Sequence, residues 1–385
     1  MIATKPGGIP RTIFEPEHEL LRESMRAFCE REIAPYHAAW EVEGAVPRAL
    51  WRRAGELGFL CMSLPAEYGG ADADFRASVV FMEELARINA TGPGFVLQTD
   101  IVAPYLLHYG TQEQKRRWLP PLASGEIVSA IAMTEPGTGS DLAAVATRAD
   151  RTADGYVLNG AKTFITNGVL ADLVIVVAKT DPSAGSRGVT LFLVERGTPG
   201  FSHGKALHKI GMHAQDTAEF SLDDVRVAAD AVLGPVGAGF KLLMSELAQE
   251  RLSIAVTSVA SAEAALDWTI AYTRERTAFG KAILDFQNTR FTLATFKAQI
   301  AMARVFVDRC IELHVRGELD AVTAAMAKVE TSELQFRALD ACLQLHGGYG
   351  YMREYPIARA WADARVQRIY GGSNEIMREI IGRTL

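Results

Sequence analysis

Several features that mark secreted, metal-binding, membrane and nucleic-acid-binding proteins are missing from this sequence of 385 residues. Its four cysteines are far apart and form no CxxC pair, so neither a metal site nor a disulfide framework is indicated. The net charge of −6, without a basic block, argues against a nucleic-acid or anionic-membrane partner. No stretch approaches the ~20 apolar residues of a membrane helix, and no signal-peptide core is present. We therefore expect a soluble intracellular protein.

Motifs for the common nucleotide and metal sites are also missing, since there is no GxGxxG, GxxxxGK[ST] or HExxH. One string, Gly200-Phe201-Ser202-His203-Gly204, matches the GxSxG turn of serine hydrolases. That turn must connect a strand to a helix, whereas this string follows Thr198-Pro199 in a β-rich region and precedes no helical pattern. We predict a surface turn there rather than a nucleophile.

Hydrophobic periodicity divides the chain into three regions. Apolar residues recur at helical spacing to about residue 127, and short β-branched or aromatic runs separated by Asn-Gly and Asp-Gly turns follow as far as residue 234. Long helical patterns then return. We predict an α+β protein with a helical domain at residues 1–127, an antiparallel β domain at 128–234 and a helical domain at 235–385. Grouped strands argue against a doubly wound nucleotide-binding fold.

Three groups of segments contain residues able to hold a planar cofactor with polar edges. In residues 131–141, two glycines and a proline shape a loop whose amides and hydroxyls can face carbonyl or phosphate oxygens. In residues 162–168, Phe164 and Thr166 share one face of a predicted strand. The third group comprises residues 276–287, 344–350 and 369–375, where Arg276 near a glycine suits a pyrophosphate. Each segment alone could be an ordinary loop or strand.

In this order and spacing, the segments resemble the acyl-CoA dehydrogenase family from about Phe14 to Arg383. The resemblance implies an N-terminal helical domain, a middle antiparallel β-barrel and a C-terminal four-helix bundle that carries the oligomer contacts. It implies bound FAD, an acyl-CoA substrate, an electron-transferring flavoprotein as acceptor, and a homotetramer. A member of this family is expected in the bacterial cytoplasm or, as a mature eukaryotic chain, in the mitochondrial matrix.

The resemblance also assigns roles around the flavin ring. Met133 and Thr134 would lie at its pyrimidine edge, and Ser140 near the flavin phosphate and the CoA arm. The segment Phe164 to Thr166 would lie against the ring and its reactive nitrogen, and Gly372 to Glu375 along the flavin side of the last helix. These roles agree with the chemistry of the residues themselves.

Further contacts are implied at the ADP half of FAD. Arg276 and Gln287 would meet it directly, and Gln344 to Gly348 would reach it from a neighbouring subunit. The full set of predicted cofactor contacts is Met133, Thr134, Gly139, Ser140, Phe164, Ile165, Thr166, Arg276, Phe279, Phe286, Gln287, Gln344, Gly347, Gly348, Gly372, Ser373 and Glu375. The predicted substrate contacts are Ser140, Arg251, Tyr370 and Gly371.

The sequence departs from the family pattern at three positions. Phe164 stands where many members have Trp, and Ala278 where many have Thr. Gly371 directly follows Tyr370, where many members carry the catalytic glutamate. The base must then come from elsewhere in the chain.

Glu250 is the predicted base. Removal of an α-proton beside a thioester needs a carboxylate whose pKa is raised by burial. On the helix predicted to start near Phe240, the apolar residues 240, 243, 244, 247, 254 and 255 mark an inward stripe that includes Glu250. The alternative, a structural pair with Arg251, is set aside because position 371 lacks a carboxylate. The long-chain and isovaleryl subgroups resemble this arrangement, and residues 245–252 look most like the long-chain subgroup.

We predict FAD-dependent dehydrogenation of a medium- or long-chain acyl-CoA to the trans-2-enoyl-CoA, as in fatty-acid β-oxidation. The small residues of Gly92-Pro93-Gly94 are expected to leave room for the chain at the floor of the pocket. The alternatives are a branched-chain enzyme of the isovaleryl type, an oxidase or monooxygenase on the same fold, and a flavin-binding protein without turnover. An acyl-carrier protein instead of CoA is also left open.

Overall fold

The computed structural model describes residues 9–385, so residues 1–8 of the predicted first domain lie outside it. In this range the elements follow the α, β, α order that the hydrophobic periodicity predicts. The first region contains the α-helices α1 Pro16–Phe28, α2 His37–Glu43, α3 Arg48–Glu56, α4 Phe75–Arg87, α5 Ala103–Tyr109 and α6 Gln112–Ala123. A π-helical segment, Leu97–Val102, leads directly into α5.

Helix α4 is buried on both sides. Val80 and Phe81 pack into the core of the N-terminal helices, whereas Val79 and Met82 pack into the core of the C-terminal helices. Glu83 and Glu84 of the same helix are also buried, and each is paired with an arginine of α1. Its N-terminus is capped by Asp74, whose side chain accepts a hydrogen bond from the amide of Arg76.

The middle region forms one sheet of eight strands. The strands are β1 Ser129–Ala132, β2 Arg148–Arg151, β3 Gly155–Thr166, β4 Leu173–Lys179, β5 Val189–Glu195, β6 Phe201–Ala206, β7 Thr217–Ala228 and β8 Val232–Leu233. Their order is β6-β7-β3-β2-β4-β5-β8, with β1 also paired to β4. On β4, Leu173, Ile175 and Val177 face the N-terminal helical core. Val174 and Val176, between them, face a second core that covers the opposite side of the sheet.

The prediction of a closed, antiparallel barrel is wrong. The end strands β6 and β8 do not pair within residues 9–385, and closure requires such pairing. Strand β8 has only two residues before the chain leaves the sheet for the next helix, so few of its backbone groups are free to pair with another strand. The sheet is also mixed, because β1 pairs in parallel with β4, with Ser129 opposite Leu173. Strand β2 also pairs in parallel with β4, with Arg148 opposite Lys179.

The predicted surface turn at residues 200–204 is also wrong. Gly200 has a φ of +82° and precedes edge strand β6, in which Ser202 pairs with Ser221 of β7. Ser202 therefore lies within an antiparallel strand. A hydrolase nucleophile would instead lie between a parallel strand and a helix.

The C-terminal region is built on a 37-residue helix, α7 Gly239–Glu275, about 55 Å long. It is followed by the hairpin β9 Thr277–Ala278 and β10 Lys281–Ala282, and then by α8 Gln287–Val315, α9 Ala321–Leu345, α10 Pro356–Ala364 and α11 Asn374–Gly382. The prediction of a four-helix bundle is confirmed only as a helical domain. Three long helices are present in the described residues, and the two short helices α10 and α11 pack against α9 where a fourth long helix was expected.

No helix within residues 9–385 is both long enough and apolar enough to cross a membrane.

Candidate active site

A cavity of about 280 Å³ lies where the three regions meet. Helix α4 and the π-helical segment supply an apolar wall, β3 and the loop after β1 supply a second, and α7 with the loop after Tyr370 supplies a third. The apolar wall consists of Met82, Leu85, Ala86, Val96, Leu97 and Ile101. Apolar walls with few polar groups are typical of small-molecule sites.

Glu250 of α7 lines this cavity and is only 7% exposed. The hydroxyl of Tyr105 on α5 donates a hydrogen bond of 3.1 Å to its Oε1. The pKa of Glu250 is raised to about 7. Burial is the largest cause and Glu246 adds to it, whereas the Tyr105 hydrogen bond and Arg251 oppose the rise. A carboxyl group with this pKa is suited to take up and release a proton near neutral pH.

Glu246, one turn before Glu250 on α7, has the opposite shift. Its Oε1 accepts a hydrogen bond of 2.6 Å from the Tyr109 hydroxyl and lies 2.9 Å from His108 Nδ1. Burial alone would raise the pKa of Glu246, but the hydrogen bonds from His108 and Tyr109 bring it below its ordinary value. One helix therefore carries an ionised carboxylate beside a carboxyl group that titrates near pH 7.

The second wall of the cavity contains five of the predicted cofactor contacts: Met133, Thr134, Phe164, Ile165 and Thr166. Phe164 is 69% exposed and has a φ of +59°. It lies at an irregularity in the pairing of β3 with β7, between Lys162 and Ile165. Such irregularities redirect side chains, and here the aromatic ring is left uncovered.

A buried ion pair holds the Met133–Asp141 loop against β3. Lys162 Nζ lies 2.8 Å from Glu135 Oε1, and Glu135 also accepts hydrogen bonds from the amides of Ala146 and Thr147. Burial lowers the pKa of Lys162 to about 8, although Glu135 opposes that effect. The pair fixes the loop beneath Thr134, whose carbonyl accepts from the amide of Thr163.

The conformation of the loop after Tyr370 explains why position 371 is a glycine. Gly371 has a φ of +64°, and a Cβ built on it would lie 2.4 Å from Ile254 Cδ1. Arg251 Nε lies 3.5 Å from the Gly371 carbonyl, and Lys328 Nζ donates to the Gly372 carbonyl at 2.8 Å. Both the backbone conformation and the neighbouring side chain from α7 therefore favour glycine at position 371.

Pro93 and Gly94 line the cavity, as the sequence predicts, and the room they leave for an acyl chain stays a prediction. A Cβ on Gly94 would lie 1.9 Å from Asn167 Oδ1, so the side chain of Asn167 fills that space. Asn167 Nδ2 also donates to the carbonyls of Gly94 and Ser129, at 3.3 Å and 3.1 Å. Gly94 therefore packs closely against the end of β3 where this loop borders the cavity.

The remaining predicted site residues do not line the cavity. Arg276, Phe279 and Phe286 belong to the β9–β10 hairpin and its flanks, and Phe279 is 94% exposed. The Arg276 guanidinium lies 5.8 Å from the ring of Tyr349, next to Gly347 and Gly348. The other residues outside the lining are Gly139, Ser140, Arg251, Gln287, Gln344, Gly372, Ser373 and Glu375.

Comparison with known proteins then gives the family. Residues 15–126 match the acyl-CoA dehydrogenase N-terminal domain, residues 130–225 the middle domain and residues 237–385 the C-terminal domain. The chain belongs to the acyl-CoA dehydrogenase family. The protein is accordingly an enzyme of the flavin-dependent oxidoreductase class.

The chain is similar to three proteins of this family. It is 50% identical to the long-chain specific acyl-CoA dehydrogenase of rat (Rattus norvegicus) mitochondria, over 97% of this chain and 88% of the rat protein. The crystal structure of an acyl-CoA dehydrogenase from Geobacillus kaustophilus is 47% identical, with a TM-score of 0.96 over 97% of this chain and 99% of that one. A glutaryl-CoA dehydrogenase from Mycobacterium smegmatis, solved in complex with FADH2, is 29% identical, with a TM-score of 0.90 over 97% and 95%.

Sequence reasoning missed four side chains around the site of this acyl-CoA dehydrogenase. Tyr105 contacts Glu250, Glu246 shares its helix face, and Lys328 holds the loop after Tyr370. Asp363 of α10 accepts hydrogen bonds from the Asn89 and Thr91 side chains and from the Met212 amide, next to the cavity. The only available signal was the four-residue spacing of two tyrosines, 105 and 109, and of two glutamates, 246 and 250.

Proposed function

We propose that this acyl-CoA dehydrogenase binds FAD and converts an acyl-CoA thioester of medium or long chain to the trans-2-enoyl-CoA. The observation that carries the proposal is the buried Glu250 carboxyl, whose pKa is raised to about 7, in a cavity lined mainly by apolar side chains and a few neutral polar ones. No other glutamate or aspartate lines this cavity among the described residues. Glu250 is therefore the proposed base.

The second wall of the cavity fits a flavin. Phe164 presents an exposed ring, Thr134 and Thr166 present hydroxyls, and the wall contains no carboxylate. A Cβ on Gly137 or Gly139 would contact nothing within 4 Å in the described part of the chain, so the loop can be approached closely. FAD bound there would supply the acceptor for the hydrogen that leaves the β-carbon of the substrate.

Glu250 performs the acid–base part of the reaction in this proposal. Its ionised carboxylate takes the proton from the α-carbon, which lies beside the thioester and is therefore acidic. The apolar walls exclude water and keep the pKa of Glu250 raised, so that the proton is accepted at near-neutral pH. Tyr370 and Gly371 line the cavity next to Ile254 of α7, on the side where the substrate thioester is proposed to lie.

The shape of the cavity supports a medium or long straight chain. Its lining includes Glu250, Ile254 and Thr257, so it extends along α7 for two turns, or about 10 Å, from the base. The wall contributed by α4 and the π-helical segment is apolar, which favours a hydrocarbon tail. The 50% identity to the rat long-chain enzyme supports the same reading.

We propose further that the FAD site is completed by a second subunit. Arg276 and the turn at Gly347–Tyr351 lie together but outside the cavity. Both, and not Gln344 to Gly348 alone as the resemblance implies, would therefore reach the ADP half from the same neighbouring copy. Exposed aromatic side chains nearby, such as Phe279 and Tyr351, support an assembly, and we propose a homotetramer. An electron-transferring flavoprotein is the proposed acceptor, and the location in cytoplasm or mitochondrial matrix stays a prediction.

The domain boundaries are also proposed to lie after residues 127 and 234. These positions fall in the links between α6 and β1 and between β8 and α7.

Anaerobic reduction of the bound flavin by a panel of acyl-CoAs tests the proposed function. We expect a yellow protein whose oxidised-flavin absorbance is lost fastest with medium or long straight chains. A peak at isovaleryl-CoA would move the assignment to the branched-chain enzymes, and fast reoxidation by air with peroxide release would indicate an oxidase. A protein that cannot be loaded with FAD, or whose flavin no acyl-CoA reduces, would refute the proposal.

A further inference from the structure

Helices α5 and α7 bring two tyrosine–glutamate pairs together beside the cavity. Tyr105 donates to Glu250 at 3.1 Å, and Tyr109 donates to Glu246 at 2.6 Å. Because the higher-numbered tyrosine meets the lower-numbered glutamate, the two helices run antiparallel at this point. Both pairs use the four-residue spacing that places side chains on one face of a helix.

Tyr105 differs from Tyr109 in what surrounds its hydroxyl. The side chain of Tyr105 is fully buried, and its hydroxyl has one further neighbour, the carbonyl of Leu243 at 3.4 Å. The shorter contact is to Glu250 Oε1, which leaves Oε2 without a hydrogen bond among the described residues. A carboxylate tethered through one oxygen presents the other in a fixed direction.

We propose that Tyr105 is a positioning residue that holds Glu250 through Oε1 and presents Oε2 to the α-carbon of the substrate. This inference rests on the proposed function, since it needs Glu250 to be the base. The tether also stabilises the ionised form, because a hydrogen bond donated to a carboxylate favours the charged state.

The charged surroundings determine how the loss of the tether would be observed. Glu250 faces Tyr105 from α5, and Glu246 and Arg251 from its own helix. Glu246 in turn faces His108 and Tyr109 from α5 and His314 from α8. Removing the Tyr105 hydroxyl deletes a group that lowers the pKa of Glu250, whereas removing the Tyr109 hydroxyl acts on Glu250 only indirectly, through Glu246.

The matched variants Tyr105→Phe and Tyr109→Phe test the proposal in the FAD-loaded protein. For Tyr105→Phe we expect the apparent pKa of flavin reduction to rise by about one pH unit and the rate at high pH to fall about tenfold, the equivalent of one hydrogen bond. For Tyr109→Phe no upward shift is expected. Loss of its hydrogen bond makes Glu246 easier to neutralise and so leaves the pKa of Glu250 unchanged or lower.

A second readout is independent of turnover. The infrared band of the protonated Glu250 carboxyl, identified by its loss in Glu250→Gln, is titrated without substrate. The proposal predicts the same upward shift in Tyr105→Phe and not in Tyr109→Phe. The pH profile of flavin reduction and the infrared titration of the Glu250 carboxyl are compared with those of the wild type at equal flavin content. If both coincide in Tyr105→Phe, Tyr105 does not position the base. A Glu250→Gln protein that reduces its flavin normally would instead refute the part of the proposed function that makes Glu250 the base.

Discussion

A glutamate at position 371 tests why this enzyme carries its carboxylate on α7. The perturbation is Gly371→Glu in the Glu250→Gln background, which moves a carboxylate to the position where many members of the family have it. Gly371 has a φ of +64°, and its missing Cβ would lie 2.4 Å from Ile254 Cδ1. We therefore expect this exchange to fail unless Ile254 is shortened as well.

The magnitude follows from two costs. A left-handed backbone costs a residue with a side chain about 1 to 2 kcal/mol. Ile254 must also withdraw by about 1 Å to restore van der Waals contact, and an unfavourable rotamer costs about 0.5 to 1.5 kcal/mol. Together these give about 1.5 to 3.5 kcal/mol, so Gly371→Glu should unfold at a lower temperature than the wild type. Gly371→Ala should show most of the same loss, because both costs begin at Cβ.

Stopped-flow flavin reduction under anaerobic conditions provides the assay. The Glu250→Gln/Gly371→Glu protein should be as slow as Glu250→Gln alone. Addition of Ile254→Ala should recover part of the rate, because it removes the atom that blocks the new side chain. Recovery in the double variant without a change at Ile254, or unaltered stability of Gly371→Ala, would refute this reasoning.

Three further predictions concern pH, cofactor and chain length. Because burial raises the pKa of Glu250 to about 7 and the base must be ionised, kcat/KM should rise with pH through about 7 and then level off; a profile flat from pH 5 to 9 would contradict this. Arg276→Ala should release FAD more readily, by roughly 1.5 to 3 kcal/mol of binding free energy, as measured by equilibrium ultrafiltration, and unchanged affinity would remove Arg276 from the cofactor site. Thr257→Leu narrows the cavity two turns from the base and should lower kcat/KM more for long than for short acyl-CoAs; an equal effect on both would contradict the proposed direction of the chain.

The sequence predicts the order of the regions and the orientation of Glu250 well. Both depend on local periodicity: the 3.6-residue stripe on α7 places Glu250 inward, and the structure buries it at 7% exposure. Closure of the sheet depends instead on whether β6 and β8 meet, which no local pattern reports. The same limit explains the closed-barrel error.

Contacts between distant segments account for the other errors and omissions. Gly94 borders the cavity, as the sequence suggests, but only the fold shows that Asn167 occupies the space where a Cβ would lie. The Tyr105 contact with Glu250 spans 145 residues, and the Lys328 contact with Gly372 spans 44. Apart from the four-residue spacing of the two tyrosines and of the two glutamates, neither contact leaves a local signal, because each depends on how separate helices and loops pack together.

The rate of anaerobic flavin reduction in Glu250→Gln is the most direct test of the central claim. The substitution keeps the size of the side chain and removes its ability to accept a proton, so FAD and acyl-CoA binding should survive. We predict that flavin reduction by a long-chain acyl-CoA slows by about 10² to 10⁴, or roughly 3 to 5 kcal/mol of barrier. Reduction at the wild-type rate would show that another residue is the base and would contradict the account.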